Sequence, residues 1–134
     1  MDGIKRVFEQ SFPRPWKSEK DHIKKSIEKG CAYVAFDGKV TGYLAFMLWD
    51  WSRVLYLSSL AVSKTRRNKG IGTALLQKFF AEGKKRRVRR LFLDTKLMNV
   101  NAQRLYLQNG FVMAGEVRNC YKEKDEILFM SRKP

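Results

Sequence analysis

The chain has 134 residues, 44% of them apolar, and 28 Lys and Arg against 13 Asp and Glu give a formal charge of +15. That length supports one hydrophobic core, and that apolar share argues against a disordered chain. No run approaches the roughly 18 apolar residues of a membrane span, and two distant cysteines with a single histidine, His22, leave no zinc pattern.

The expectation is a single domain over residues 1–134. Residues 1–10 mix charged and apolar positions, so they do not read as a signal peptide, and the location expected is cytoplasmic. Cys31 and Cys120 are expected to be buried as small apolar residues. The charge suits a polyanionic partner: RNA, a ribosome or a phosphate-bearing cofactor.

In chain order, Ile4, Val7, Phe8 and Phe12 recur at helical spacing and predict a first helix. Phe12-Pro13-Arg14-Pro15-Trp16 ends it, because proline lacks an amide proton and drives the preceding residue out of helical backbone. Ser18 followed by Asp21 reads as an N-cap with a first-turn acid, opening a second helix that Gly30 stops after about residue 29. Three strands follow, over 31–36, 40–49 and 54–62. Asp37-Gly38 signals a two-residue hairpin between the first two, and Trp49-Asp50-Trp51-Ser52 turns the chain into the third.

A basic loop then leads to a helix over about 70–85, with Ile71, Leu75, Leu76, Phe79 and Phe80 on one side. Residues 91–95 form a short strand. Residues 101–108 form a helix with Ala102, Leu105 and Tyr106 at core spacing, ended by Asn109-Gly110. The closing strands are 111–117 and 127–131. An antiparallel meander followed by a strand–helix–strand crossover makes an α/β fold with a mixed, mostly antiparallel sheet flanked by helices.

The densest cationic run is Lys84-Lys85-Arg86-Arg87-Val88-Arg89-Arg90. It reads either as a solvated helix end, with cations favourably placed at the C-terminal dipole, or as a polyanion contact. No aromatic residue interleaves with it, so it lacks the stacking groups of a single-strand binder.

The strongest chemical signal is the turn Arg67-Asn68-Lys69-Gly70-Ile71-Gly72-Thr73, between a strand end and an apolar helix. A helix start leaves about four backbone N–H groups unpaired, and the dipole adds partial positive charge. Glycines let the backbone approach a phosphate closely, while Arg67 and Lys69 add full charges. Together they describe a pyrophosphate cradle. Neither GxGxxG nor GxxxxGK[ST] occurs, so a Rossmann site and a P-loop are not supported.

Arg67-x-x-Gly70-x-Gly72 resembles the acetyl-CoA signature of the GCN5-related N-acetyltransferase superfamily. Asn99-Val100-Asn101-Ala102-Gln103-Arg104-Leu105-Tyr106, followed by Asn109-Gly110-Phe111, is similar to the family's second block. Within the family the chain looks most like ribosomal-protein N-terminal alanine acetyltransferases and archaeal N-terminal acetyltransferases. That narrower likeness rests on Phe12-Pro13-Arg14-Pro15-Trp16, on Leu91 to Lys96 and on Arg118-Asn119-Cys120-Tyr121.

The resemblance implies an enzyme that moves an acetyl group from acetyl-CoA to an amine, without a metal. Leu60, Ala61 and Val62 are then expected to offer backbone groups to the pantetheine arm and the acetyl carbonyl. Asn99 is expected to help hold the cofactor, with Arg67, Asn68, Lys69, Gly70, Ile71, Gly72 and Thr73 on its phosphates. Tyr106 is the counterpart of the acid that protonates the leaving thiolate, with an ordinary core tyrosine as the alternative. Asp94 stands where relatives carry a glutamate base. It is one methylene shorter, so its reach to the amine would need a relayed water, and a solvent-facing or structurally paired aspartate is the alternative. The base position on the preceding strand holds Ser58 and Ser59, neither of them a base. Tyr121 and Trp16 are candidates for the acceptor site, with a surface tyrosine and a core tryptophan as the alternatives. The usual first strand of the family has no counterpart before the first helix, which could leave a sheet edge open to a second copy.

The acceptor is expected to be the N-terminal α-amine of a protein, with ribosomal proteins among the candidates, and the enzyme a monomer or homodimer. Two other readings stay open. One is acetylation of a small amine, which the positive charge disfavours for polycations. The other is a non-catalytic nucleic-acid-binding module on the same fold.

Overall fold

The computed structural model describes residues 1–120 and 125–134. The elements are α1 (Asp2–Ser11), a 3-10 turn (Trp16–Ser18), α2 (Lys20–Glu28), β1 (Ala32–Phe36), β2 (Val40–Trp49), β3 (Val54–Val62), a second 3-10 turn (Lys64–Arg66), α3 (Ile71–Lys85), β4 (Arg90–Lys96), α4 (Val100–Gln108), β5 (Val112–Arg118) and β6 (Glu126–Arg132). Every helix and strand expected from the sequence is present, and β2 and β3 have the expected limits. The sheet runs β1-β2-β3-β4-β6-β5 and is open. β3 pairs parallel with β4 across the α3 crossover, while β1 with β2, β4 with β6 and β5 with β6 are antiparallel. This is one α/β domain with a six-stranded mixed sheet and four helices. The late interposition of β6 between β4 and β5 depends on register rather than on local pattern.

Three local expectations are corrected. Ser18 is not the cap of α2: its hydroxyl donates to the Pro15 carbonyl at 2.7 Å and closes the 3-10 turn, and Glu19 stands at the cap without a side-chain bond. The β1–β2 connection has three residues, because Phe36 pairs with Val40 and the Asp37 N–H donates to the Lys39 carbonyl at 2.9 Å. Cys31 is buried as expected, but Cys120 is exposed.

Contacts group the chain into two compact units: Met1–Met47 with Ser58–Phe79, and Leu48–Leu57 with Phe80–Pro134. In the first, Ile4, Val7, Phe8, Ile23, Tyr43 and Ala61 form a core against which Phe12, Trp16 and Val40 pack. Fully burying a side chain such as Phe8 or Ile23 contributes about 1.5–3 kcal/mol. The Tyr43 hydroxyl lies 2.8 Å from Ser59 Oγ, and burial pushes its pKa up to about 12. Gly42 admits α3: a Cβ there would sit 3.1 Å from both the Ala61 carbonyl and Ile71 Cγ2.

In the second unit Leu91, Leu93, Phe111 and Met130 are buried. Phe80 meets Phe111 at 5.9 Å and carries the Arg132 guanidinium 3.8 Å from its ring centre. One row of aromatics crosses the strands. Trp49 stacks on Tyr56 at 5.0 Å and meets Phe92 at 5.7 Å, and Phe92 stacks on Phe129 at 5.6 Å. β5 is exposed along its whole length.

Candidate functional site

In the first unit, β3 ends at Val62 and the second 3-10 turn leads into the glycine turn. Asn68 and Gly70 both take left-handed backbone, with φ of +61° and +81°. That conformation costs a side-chain-bearing residue of order 1 kcal/mol or more, and glycine and asparagine tolerate it best. A Cβ on Gly70 would meet nothing within 4 Å, so the backbone there faces open space. The Ala74 N–H bonds to the Gly70 carbonyl at 2.9 Å. The amides of Ile71 and Gly72 lie ahead of that bond, at a helix start. A surface of backbone donors under partial positive charge therefore faces outward, which fits a pyrophosphate.

The cations of this loop divide their duties. Arg66 pairs with Asp37 at 2.7 Å, and that hydrogen bond and charge hold the Asp37 carboxyl below its usual range. Arg67 folds back, its Nε donating to the Val62 carbonyl and its Nη2 to Ser11 Oγ, both at 3.1 Å. The structure thus ties Arg67 to the strand end that it follows. Lys69 is exposed at the turn. Leu60 and Val62 are half-buried and Ala61 is buried. Of their backbone groups, the Val62 carbonyl is already engaged by Arg67.

In the second unit, Asp94 is half-buried on β4, and the Tyr56 hydroxyl donates to its Oδ2 at 2.9 Å. The carboxylate therefore has a partner that fixes its orientation. Tyr106 lies on α4, 6% exposed and edge-on to Phe111 at 5.7 Å. Burial first, and then the negative charge of Asp94, push its phenol well above its ordinary range. Desolvation penalises the phenolate, so Tyr106 holds its proton at neutral pH. One compact unit thus holds a buried, protonated phenol, a carboxylate and the tyrosine that orients the carboxylate.

The remaining candidates fall differently. Asn99 caps α4, its Oδ1 accepting from the Ala102 N–H at 3.1 Å. Trp16 packs edge-on against Phe8 at 5.3 Å, on the first unit's core. Tyr121 lies outside the described residues.

Two features escaped the sequence reading. Tyr56 pairs with Phe92 in the parallel β3–β4 register, which makes Tyr56 and Asp94 diagonal neighbours. Only the register reveals that, since nothing local links positions 38 residues apart. The second feature is the contact of His22 Nε2 with Ser58 Oγ at 2.7 Å. Because the Ser58 hydroxyl donates to the Ala45 carbonyl at 3.0 Å, the ring N–H is the donor in that contact. A hydroxyl dismissed as a base is thereby joined to a histidine.

A shallow cleft of about 470 Å³ in the second unit is lined by Arg90, Val112, Ser131 and Arg132 among others, and includes none of the candidate residues. Among the described residues, no group of three or more His, Cys, Asp and Glu could hold a metal ion, and no helix is long and apolar enough to cross a membrane.

Comparison with known proteins adds the family. Residues 1–111 match the family model described as "Acetyltransferase (GNAT) family". An uncharacterized N-acetyltransferase of Methanocaldococcus jannaschii is 30% identical over 140 residues, covering 100% of this chain and 86% of the relative. The crystal structure of the ribosomal-protein-S18-alanine N-acetyltransferase from Escherichia coli superposes with a TM-score of 0.81 at 24% identity, covering 98% of this chain and 86% of that one. An aminoglycoside 6'-N-acetyltransferase complexed with coenzyme A superposes with a TM-score of 0.82 at 17% identity, covering 98% and 89%. With a family match over most of its length and the fold of these enzymes, the chain belongs to the acetyltransferase (GNAT) family and is an N-acetyltransferase.

Proposed function

We propose that the enzyme acetylates the N-terminal α-amine of a protein, using acetyl-CoA held at the glycine turn. The observation that carries the reading is the placement of Tyr106 and Asp94 in one compact unit, the first kept protonated by burial and by the charge of the second. Acetyl-CoA, when bound, supplies the acetyl group as a thioester. The donors at Ile71 and Gly72, with Lys69 beside them, suit its pyrophosphate, and Asn68, Gly70 and Thr73 complete that turn. Leu60 and Ala61 offer backbone groups to the pantetheine arm. Tyr106 gives its proton to the departing sulfur, and Asp94 takes one from the amine through a water. Asn99 serves this site by fixing the start of α4. Trp16 and Tyr121 remain assigned to the acceptor side by family resemblance alone.

The preference for an α-amine follows from proton availability. Roughly one α-amine in ten is neutral at pH 7, against roughly one lysine side chain in 2,500. A short carboxylate working through water in a chain of charge +15 gains most from an acceptor that is already partly neutral. A protein N-terminus of the ribosomal kind fits this, and so does the likeness to the alanine N-acetyltransferase fold.

The test is labelled acetyl-CoA with peptides whose N-termini are free or blocked. Transfer to free N-termini, lost on blocking, is the expected result; transfer to internal lysines of blocked peptides sinks the α-amine assignment. The fold shared with an aminoglycoside acetyltransferase supports a second reading, a small-molecule acceptor. Faster transfer to an aminoglycoside than to any peptide would establish it.

A further inference from the structure

The basic run at residues 84–90 is left unused by acetyl transfer, and its surroundings are not those that its sequence suggests. The β2–β3 turn, residues 50–53, folds against it. The Arg53 guanidinium donates from Nη2 to the Arg86 carbonyl at 2.7 Å and to the Arg87 carbonyl at 3.2 Å, and the Arg89 N–H donates to the Arg53 carbonyl at 2.8 Å. Arg53 and Arg87 both take left-handed backbone, and Val88 is buried, so both turns are pinned.

Two consequences follow. First, backbone bonds close the end of α3, with the N–H groups of Arg86, Arg87 and Val88 donating to the Glu82, Lys84 and Gly83 carbonyls, and Arg53 takes the next two carbonyls, so the cationic side chains of the run are not needed to cap the helix. Arg86 pairs with Glu82 at 2.7 Å. Lys84, Lys85, Arg87 and Arg89 are exposed, and none is in an ion pair among the described residues. Segments 50–53 and 82–90 together hold seven cations against two carboxylates, Asp50 and Glu82. Second, the turn brings an aromatic ring. Trp51 is 85% exposed and stacks on Trp49 at 6.1 Å with 14° between planes, and Trp49 stacks in turn on Tyr56. The column supports one face of Trp51 and leaves the rest to solvent.

We propose that Trp51 with Lys84, Lys85, Arg87 and Arg89 forms a binding surface for single-stranded RNA, separate from the acetyl-CoA turn and independent of the acceptor assigned above. The cations meet the phosphates and Trp51 receives an unpaired base. Single strands offer both, whereas a duplex keeps its bases stacked inside. A bare basic patch attracts any polyanion; the exposed, pre-stacked tryptophan selects a partner with a free π-face.

The test titrates the full chain into a labelled 12-nucleotide oligouridine, reading anisotropy and tryptophan fluorescence. Binding should quench tryptophan emission and weaken with salt at a log–log slope of about −3, as four released counterions require. Trp51→Leu should lose the quench and weaken binding at least about fivefold, the low end for loss of one stacked base. Lys84→Glu/Lys85→Glu should weaken it more than tenfold, and a control reversal of equal charge on α2, Lys24→Glu/Lys25→Glu, by much less. Circular dichroism checks that each variant is folded. Equal losses from both reversals mean diffuse charge and overturn the proposal. So do equal affinity for a 12-base-pair duplex, tighter binding to vesicles of anionic lipid, or displacement of the oligonucleotide by excess coenzyme A.

Discussion

The two ends of α3 are both proposed to attract anions, by different means. At its start the attraction is built from backbone: the amides of Ile71 and Gly72, the left-handed Asn68 and Gly70, and open space where a side chain would stand. At its end it is built from side chains, with the backbone carbonyls of Arg86 and Arg87 already satisfied by Arg53. A backbone site tolerates the loss of a charge and fails when a Cβ alters the turn. A side-chain site does the reverse. The first is suited to one ligand of fixed shape, the second to a flexible polymer.

The sharpest way to break this comparison is to show that turnover depends on the wrong end. Tyr106→Phe should lower kcat by about 10²-fold with the affinity for acetyl-CoA retained, as expected for loss of a general acid. Lys84→Glu/Lys85→Glu should leave both kcat and cofactor affinity within about twofold. Single-turnover rates and isothermal titration separate the two effects, and equal damage from both variants would erase the distinction. Asp94→Asn should cost a similar factor to Tyr106→Phe. Tyr56→Phe should cost only several-fold, because it orients the carboxylate without carrying the proton; a Tyr56→Phe loss as deep as that of Asp94→Asn would make Tyr56 the reacting group.

Gly70→Val should weaken acetyl-CoA binding about tenfold, since a β-branched residue cannot hold a φ of +81° without strain of order 1–3 kcal/mol. Lys69→Ala at the same turn should weaken it only about threefold, and less at high salt, because its charge is exposed and screened. If Lys69→Ala costs more than Gly70→Val, the cradle is a side-chain site after all.

The smallest expected effect lies in alkaline stability. Tyr106 and Tyr43 both hold their protons more tightly folded than unfolded, Tyr43 up to about 12. For such groups stability is fully present below the unfolded value near 10 and falls as pH rises through the folded one. Thermal melts from pH 9 to pH 12 should show that decline, and it should be shallower in Tyr43→Phe. A Tyr43→Phe decline as steep as that of the parent would remove Tyr43 as a contributor.

What the sequence determined by itself was whatever is contiguous. The helices and strands follow from periodicity and from proline, glycine and Asn-Gly stops. The glycine turn follows from six adjacent residues. The Asn99–Tyr106 block, read through its family resemblance, pointed to acetyl transfer. Those features are local, so their physics is complete within a few residues of chain. The tertiary structure alone decided what is distant. It gave Asp94 a tyrosine partner, joined His22 to Ser58, turned Arg67 back onto Val62 and used Asn99 as a helix cap. It also set the β2–β3 turn against the basic run. No aromatic lies within residues 84–90, yet Trp51 stands on a turn more than 30 residues earlier whose Arg53 bonds to that run in a way that depends on the β3–β4 register. Register is fixed by which faces of the strands must be buried together, and that is a property of the assembled sheet rather than of any one segment.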